Sequence, residues 1–100
     1  MESFSFKYPA GKKIRQRAHI GVVGSGDLEI LLEPGNEMYT VFNIRTAADG
    51  FQEIWKAVFE RFVALNAIAA IVTINDFGAT PGVVGLRLAQ VLEIANQEQS

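Results

Sequence analysis

The stretch YTVFNIRTAADGFQEIWKAVFERFV, residues 39–63, contains the change of hydrophobic period that decides the fold. Its first part, residues 39–46, has Val41 and Ile44 near its centre and predicts a strand. From residue 51 onward the apolar side chains recur at the spacing of one helical face, and they are Phe51, Ile54, Trp55, Val58, Phe59, Phe62 and Val63. A strand followed directly by an amphipathic helix is therefore expected.

Three further strands are predicted on the N-terminal side of this stretch. Residues 4–8 alternate around aromatic side chains, and residues 14–23 and 28–33 are also typical of strands. The segments at 9–11 and 34–36 contain proline and glycine and predict turns. The chain therefore begins with strands that are joined by turns.

The remaining segments predict a second strand-and-helix pair. Asp49 is the predicted N-cap of the first helix, and Asn66 is its predicted stop. Residues 69–75 suit a buried strand. In the second helix Thr80 is the predicted N-cap and Pro81 the first helical residue, because proline has no N–H to leave unpaired there.

The order of strands, helix, strand, helix favours an α+β fold. We expect a mostly antiparallel sheet of about five strands, with two helices packed on one face. Residues 1–100 show no repeat or linker and are interpreted as one domain.

The composition limits the chemistry that the chain can carry. The sequence has 100 residues, 49% of them hydrophobic, with no cysteine and a single histidine, His19. The lack of cysteine excludes disulfides and thiolate metal sites, and a His-rich metal site is impossible. A Ser-His-Asp catalytic site would have to be built on His19 alone, and no resident metal is predicted. No segment suits a membrane span or a signal peptide, so a cytoplasmic location is expected.

The charges are unevenly distributed along the chain. The basic residues concentrate near the N-terminus as Lys7, Lys12, Lys13, Arg15 and Arg17, and the acidic ones follow as Asp27, Glu29, Glu33 and Glu37. One interpretation is a pair of oppositely charged strands. The other is that Lys12, Lys13, Arg15 and Arg17 dock an anionic group or a partner. Nucleic acid is not expected, because the chain is acidic overall and the basic stretch lacks interleaved aromatic residues.

The sequence GSGD, residues 24–27, lies between two predicted strands at the spacing of a hairpin tip. One interpretation is an ordinary turn. In the other, the hydroxyl of Ser25 is the acceptor of a modification, with Gly24 and Gly26 leaving it unobstructed. Asp27 would then hold a metal or orient the hydroxyl. Ser25 has no neighbouring histidine in the sequence and does not lie in a nucleophile-elbow motif, which favours an acceptor over a nucleophile.

The sequence DFG, residues 76–78, also occurs in protein kinases, but the other kinase motifs are absent here. A turn between a strand and a helix is the simpler interpretation, with Gly78 supplying the geometry. In the alternative, Asp76, Gly78 and Thr80 lie where the helix N-terminus contacts an anion such as the phosphate of a prosthetic group.

Two segments resemble a known family. VVGSGDLEILLEPG, residues 22–35, and NDFGATPGVVGLRLAQ, residues 75–90, are together similar to the acyl carrier (delta) subunits of bacterial malonate decarboxylases. The resemblance extends over essentially the whole chain and is loosest in residues 37–70. It implies that Ser25 carries 2′-(5″-phosphoribosyl)-3′-dephospho-coenzyme A through a phosphodiester bond, and that a dedicated prosthetic-group transferase installs it.

The resemblance also implies a non-catalytic carrier whose arm holds acetyl or malonyl as a thioester. The implied partners are an acyl transferase (alpha) subunit, decarboxylase (beta and gamma) subunits and a malonyl transferase. The chain has no thiol of its own, so a carrier of thioesters would have to import one. The alternatives are the carrier of a citrate lyase-like complex, a non-carrier structural or binding subunit, and a free-standing enzyme.

Overall fold

The computed structural model describes residues 2–21 and 27–98. Within these residues, six strands and two helices follow one another as β1 (Glu2–Pro9), β2 (Lys12–Lys13), β3 (Ala18–Gly21), β4 (Leu28–Pro34), β5 (Tyr39–Thr46), α1 (Gln52–Leu65), β6 (Ile68–Asp76) and α2 (Pro81–Glu98). The predicted α+β fold is confirmed.

The sheet has the strand order β1-β5-β6-β4-β3, and the short β2 pairs with the beginning of β6. In the part of the chain that the structure describes, three strand pairings are antiparallel, and those of β5 and β2 with β6 are parallel. The sheet is therefore mixed. The parallel pair arises because α1 connects β5 to β6, and parallel neighbours need such a crossover.

The predicted strand at 14–23 is wrong in its first part, since β3 begins only at Ala18. Continued toward residue 14, the register of β3 on β4 reaches Pro34, which has no N–H to donate to a ladder. Ile14 is buried all the same. Residues 22–23 lie outside the described part of the chain. The strand β2 was not predicted, because its two exposed lysines have no apolar alternation.

The predicted helix ends agree with the structure in two of three places. The prediction of Asp49 as N-cap is wrong, because the chain turns at Gly50 with a φ of 82° and the N-cap is Phe51. Asn66 ends α1 as predicted, and its backbone N–H donates to the Phe62 carbonyl over 2.9 Å. Thr80 precedes α2, where its Oγ1 accepts the Val83 N–H over 3.3 Å.

Both helices cover one face of the sheet. From the middle of the sheet, Phe42 stacks on Phe59 of α1 with ring centroids 4.0 Å apart. The buried face of α2 packs over β3 and β4, and it consists of Val84, Leu88, Val91 and Ala95. Each of the valine and leucine side chains among them contributes about 1.5–3 kcal/mol by leaving water. None of the helices that the structure describes is long and apolar enough to span a membrane.

Candidate functional site at the end of the sheet

The strands on either side of the predicted tip form an antiparallel pair. β3 ends at Gly21, which is opposite Glu29, and β4 begins at Leu28. The hairpin pairing is therefore confirmed for these strands. Gly24, Ser25 and Gly26 themselves lie outside the described residues, so the role of Ser25 stays a prediction.

Gly21 is the last described residue before the tip, and its backbone lies against β4. Its φ is +152°, and a Cβ built on it would lie 2.6 Å from Glu29 Cα and 2.8 Å from the Leu28 carbonyl oxygen. Only glycine tolerates this approach without a shift of the backbone. Gly21 lies inside the predicted strand 14–23, and a glycine inside a strand pattern is a signal of close backbone contact.

Asp27 is the first described residue after the tip, and it is held on several sides. Its Oδ1 accepts the Leu28 N–H over 2.7 Å, and its carbonyl oxygen accepts the Phe77 N–H over 2.8 Å. Arg87 of α2 donates from Nη2 to Oδ2 over 2.9 Å and from Nε to Oδ1 over 3.3 Å. The carboxylate is thus engaged in contacts within the chain, which favours anchoring over the holding of a metal.

These contacts also change the acidity of Asp27. The hydrogen bond from the Leu28 N–H and then those from Arg87 lower the pKa of the Asp27 carboxyl below its ordinary value of 3.8. Arg87 itself is steadied by Gln90, whose Oε1 accepts from Nη1 over 3.0 Å. Arg87 is a site residue that was not predicted from the sequence. The sequence clue to Arg87 is that residues 81–98, which form α2, contain no other basic residue.

Asp76 closes β6 beside this anchor, because it is paired with Leu28. It is buried, and its Oδ2 accepts the Thr46 hydroxyl over 2.8 Å. Its Oδ1 accepts the N–H groups of Gly78 over 3.3 Å and Ala79 over 2.9 Å, and Gly78 has a φ of +104°. The interpretation of this segment as a turn from strand to helix is confirmed. Thr80, the third residue named in the anion alternative, caps α2 in the same turn.

A cavity of about 260 Å³ lies next to this turn, between the beginnings of α1 and α2. The ends of β5 and β6 form its floor through Thr46 and Asp76, which are hydrogen-bonded to each other. Its walls are mainly apolar, and Trp55 is one of them. The helical spacing of the apolar residues of α1 predicts a buried face and gives no indication of a cavity.

The basic segment, which comprises Lys12, Lys13, Arg15 and Arg17, lies away from this turn and cavity. Lys12 and Lys13 pair with residues 68–69 at the beginning of β6, whereas Asp76 is at its end. Eight residues of strand span about 26 Å, so the structure does not bring these lysines to the tip. Arg15 is exposed as well.

Of the basic residues predicted to face the acidic ones, Arg17, just before β3, forms such a pair, whereas Lys12, Lys13 and Arg15 form none with another described residue. Arg17 donates to Glu33 over 2.8 Å, and the His19 ring lies 3.1 Å from Glu29. Glu29 also accepts from Asn75 over 3.0 Å. The hydrogen bond to His19, followed by that to Asn75, lowers the pKa of Glu29.

The chain is similar to known proteins over nearly its whole length. The family described as malonate decarboxylase delta subunit matches residues 15–95. The malonate decarboxylase acyl carrier protein of Azotobacter vinelandii is 53% identical over 94 residues, which are 93% of this chain and 95% of that protein. Its counterpart in Pseudomonas paraeruginosa is 48% identical over 99 residues, or 98% of this chain and all of that one.

A solved structure has the same fold. It is the crystal structure of a Pseudomonas malonate decarboxylase hetero-tetramer in complex with malonate, in which one chain is 48% identical to this one. The two superpose with a TM-score of 0.89 over 95% of this chain and 99% of that one. The resemblance of residues 22–35 and 75–90 is therefore confirmed, and the chain belongs to the malonate decarboxylase delta subunit family.

Proposed function

We propose that this protein is the acyl carrier subunit of a malonate decarboxylase and that Ser25 is the point of attachment of its arm. The observation that supports this most is the anchoring of the nearest described residues on either side of the GSG tip, residues 24–26. Gly21 is fixed against β4, and Asp27 is fixed to α2 by Arg87. Such ends suit a tip that carries a long group and has to present it from a constant position.

The proposed group is 2′-(5″-phosphoribosyl)-3′-dephospho-coenzyme A. The chemistry of the chain fits it, because none of the 100 residues is cysteine and the serine hydroxyl can form the phosphodiester bond. When bound, the group supplies a thiol on which acetyl or malonyl is carried as a thioester. Gly24 and Gly26 have no side chains that would hinder the transferase at Ser25.

The chain itself anchors the arm and leaves catalysis to other subunits. A tethered group has a high effective concentration at every site that it reaches. We propose an acyl transferase (alpha) subunit, decarboxylase (beta and gamma) subunits and a malonyl transferase as the sites that it serves. The support is the likeness to a chain of the Pseudomonas hetero-tetramer.

The basic segment is proposed to contact a partner subunit. Lys12, Lys13 and Arg15 are exposed, and none has a side-chain hydrogen bond or ion pair with another described residue. Arg17 is paired with Glu33, which leaves it less free for this purpose. The segment lies far from the tip, which favours a protein surface over the arm as its target.

The test is the intact mass of the protein after co-expression with the enzymes that make and transfer the prosthetic group. We expect wild type to gain the mass of the nucleotide, and Ser25→Ala to gain none. Ser3→Ala is the matched control, since Ser3 is an exposed serine in β1 and should leave the mass gain intact.

The same experiment separates the alternatives. A wild-type chain that gains no mass would indicate a structural subunit, and a Ser25→Ala chain that still gains it would place the attachment on another hydroxyl. A complex assembled with Ser25→Ala should not turn over malonate. Full turnover by that complex would refute the carrier mechanism.

A further inference from the structure

We propose that the cavity between the beginnings of α1 and α2 binds the acetyl-bearing end of the arm and leaves the malonyl-bearing end in solvent. This inference rests on the proposed function, since it requires an arm on Ser25. It assigns to the carrier a second role beyond attachment, which is the protection of one acyl form.

Ser25 is separated from the cavity lining by only a short stretch of chain and one hydrogen bond. Asp27, whose carbonyl oxygen accepts the Phe77 N–H over 2.8 Å, comes two residues after Ser25. Two residues span at most about 7 Å. Phe77 lies in the chain between Asp76 and Gly78, and both of these line the cavity. The attachment point is therefore tethered close to the cavity wall.

The size and polarity of the cavity suit a small uncharged guest. An apolar cavity of about 150 Å³ is large enough for benzene, and this one measures about 260 Å³. Ile54, Trp55 and Val84 are among its apolar walls. At its floor, the Asp76 carboxylate already accepts the Thr46 hydroxyl and two backbone N–H groups. A guest therefore need not satisfy any polar group there.

Exposed apolar side chains border the cavity at this end of the molecule. Phe51 is 44% exposed and Ile54 41% exposed, and both line the cavity. Phe77, in the turn beside it, is 40% exposed. Covering apolar surface of this kind is favourable by about 25 cal/mol per Å². A short uncharged acyl thioester has the chemistry to do so.

Charge distinguishes the two acyl groups, because acetyl is neutral and malonyl carries a carboxylate. No lysine, arginine or histidine is among the described residues that line the cavity, while Asp76 brings a carboxylate to its floor. The N-terminus of α2 is already capped, because Thr80 Oγ1 accepts the Val83 N–H. Burial of an unpaired malonyl carboxylate beside Asp76 is costly, so the malonyl form stays outside.

The sequence supplies two probes for a test. The chain has no cysteine and only one tryptophan, so the thiol of the arm is the sole thiol of the modified protein and Trp55 is its sole indole. Trp55 is 5% exposed and lines the cavity. Acetylation of the thiol should shift the emission of Trp55, and malonylation should leave the emission of the free-thiol form unchanged.

The second measurement is the rate at which hydroxylamine cleaves the acetyl thioester. Ala48→Leu adds bulk to the cavity lining, and we expect it to raise this rate several-fold over wild type. Ala89→Leu makes the same change at an exposed position of α2 outside this cavity and is the matched control. Phe51→Ser removes an exposed wall without adding bulk and should also raise the rate.

The outcomes are distinct from those of the proposed function. Intact mass first establishes that the arm is present, and its absence would count against the carrier role itself. With the arm present, equal cleavage rates in wild type, Ala48→Leu and Phe51→Ser would overturn the inference. An equal response of Trp55 to acetyl and malonyl would overturn the selection by charge.

Discussion

Arg87 and Asp27 are 60 residues apart in the sequence, and they form a two-point ion pair that joins α2 to the beginning of β4. The side chains are 25% and 21% exposed, so the pair is largely shielded from solvent. Since Asp27 follows the GSG tip, this pair determines where one end of the tip lies relative to the helices. The planar guanidinium matches the two carboxylate oxygens in a way that a lysine cannot.

We predict that Arg87→Lys loosens this end of the tip although the charge is kept. The amides of Leu28 and Phe77 are the readout, because the first donates to the Asp27 side chain and the second to its carbonyl oxygen. Their hydrogen exchange should accelerate several-fold, while that of the central strand β6 stays unchanged.

Arg45→Lys is the control for this variant, since Arg45 is exposed on the opposite face of the sheet. It should leave both amides as they are in wild type. If exchange at Leu28 and Phe77 in Arg87→Lys equals that of the control, the ion pair does not hold the tip.

The lowered pKa of Asp27 predicts a loss of stability in acid. A carboxyl whose pKa is lower in the folded than in the unfolded chain stabilises the fold above its unfolded pKa. This contribution decreases as the pH falls below the ordinary value of 3.8 and is gone below the folded pKa. Urea midpoints measured from pH 6 downward should therefore fall less steeply for Asp27→Asn than for wild type. Parallel curves for the two proteins would contradict the assignment.

The period of the hydrophobic pattern predicted most of the fold. Strands at 28–33, 39–46 and 69–75, the first helix and the start of the second appear within a residue or two of their predicted positions, because one buried face imposes a period of 2 or 3.6. The pattern gave no warning of β2, since Lys12–Lys13 is a strand only through its pairing with β6. Such pairing depends on tertiary contacts, and a segment of two residues is too short to show a hydrophobic pattern.

The candidate site was less accessible to sequence reasoning. The sequence placed Ser25 in a tip between two strands, but Arg87 and the cavity result from the way in which α1 and α2 meet over the sheet. Residues 27 and 87 share no motif, and Trp55 obeys the same helical period whether it fills a core or lines a cavity. Distances between elements therefore carried the information that the sequence did not.

The aromatic stack in the core predicts a large effect at one position. Phe59 is fully buried, and it stacks on Phe42 at 4.0 Å and contacts Phe6 at 5.6 Å between ring centroids. Phe59→Ala should lower the free energy of unfolding by about 3–5 kcal/mol. Phe51→Ala, at a position 44% exposed, should cost much less. Equal denaturation midpoints for the two variants would show that the stack does not stabilise the core.

Gly21 gives the sharpest prediction about the other end of the tip. An alanine Cβ there would lie 2.6 Å from Glu29 Cα and 2.8 Å from the Leu28 carbonyl oxygen, and both of these are in β4. The backbone cannot yield as a flexible side chain would, and φ is already +152°. Gly21→Ala should therefore cost more than about 1 kcal/mol in the free energy of unfolding.

A matched glycine makes the prediction for Gly21 specific to its place. Gly85 lies in α2, and a Cβ built on it meets nothing within 4 Å. Gly85→Ala should therefore stabilise the protein by up to about 1 kcal/mol, because alanine is the better helix former. The two variants make the same chemical change and are expected to move the denaturation midpoint in opposite directions. If Gly21→Ala were as stable as wild type, the close approach of β3 to β4 would not fix this end of the tip.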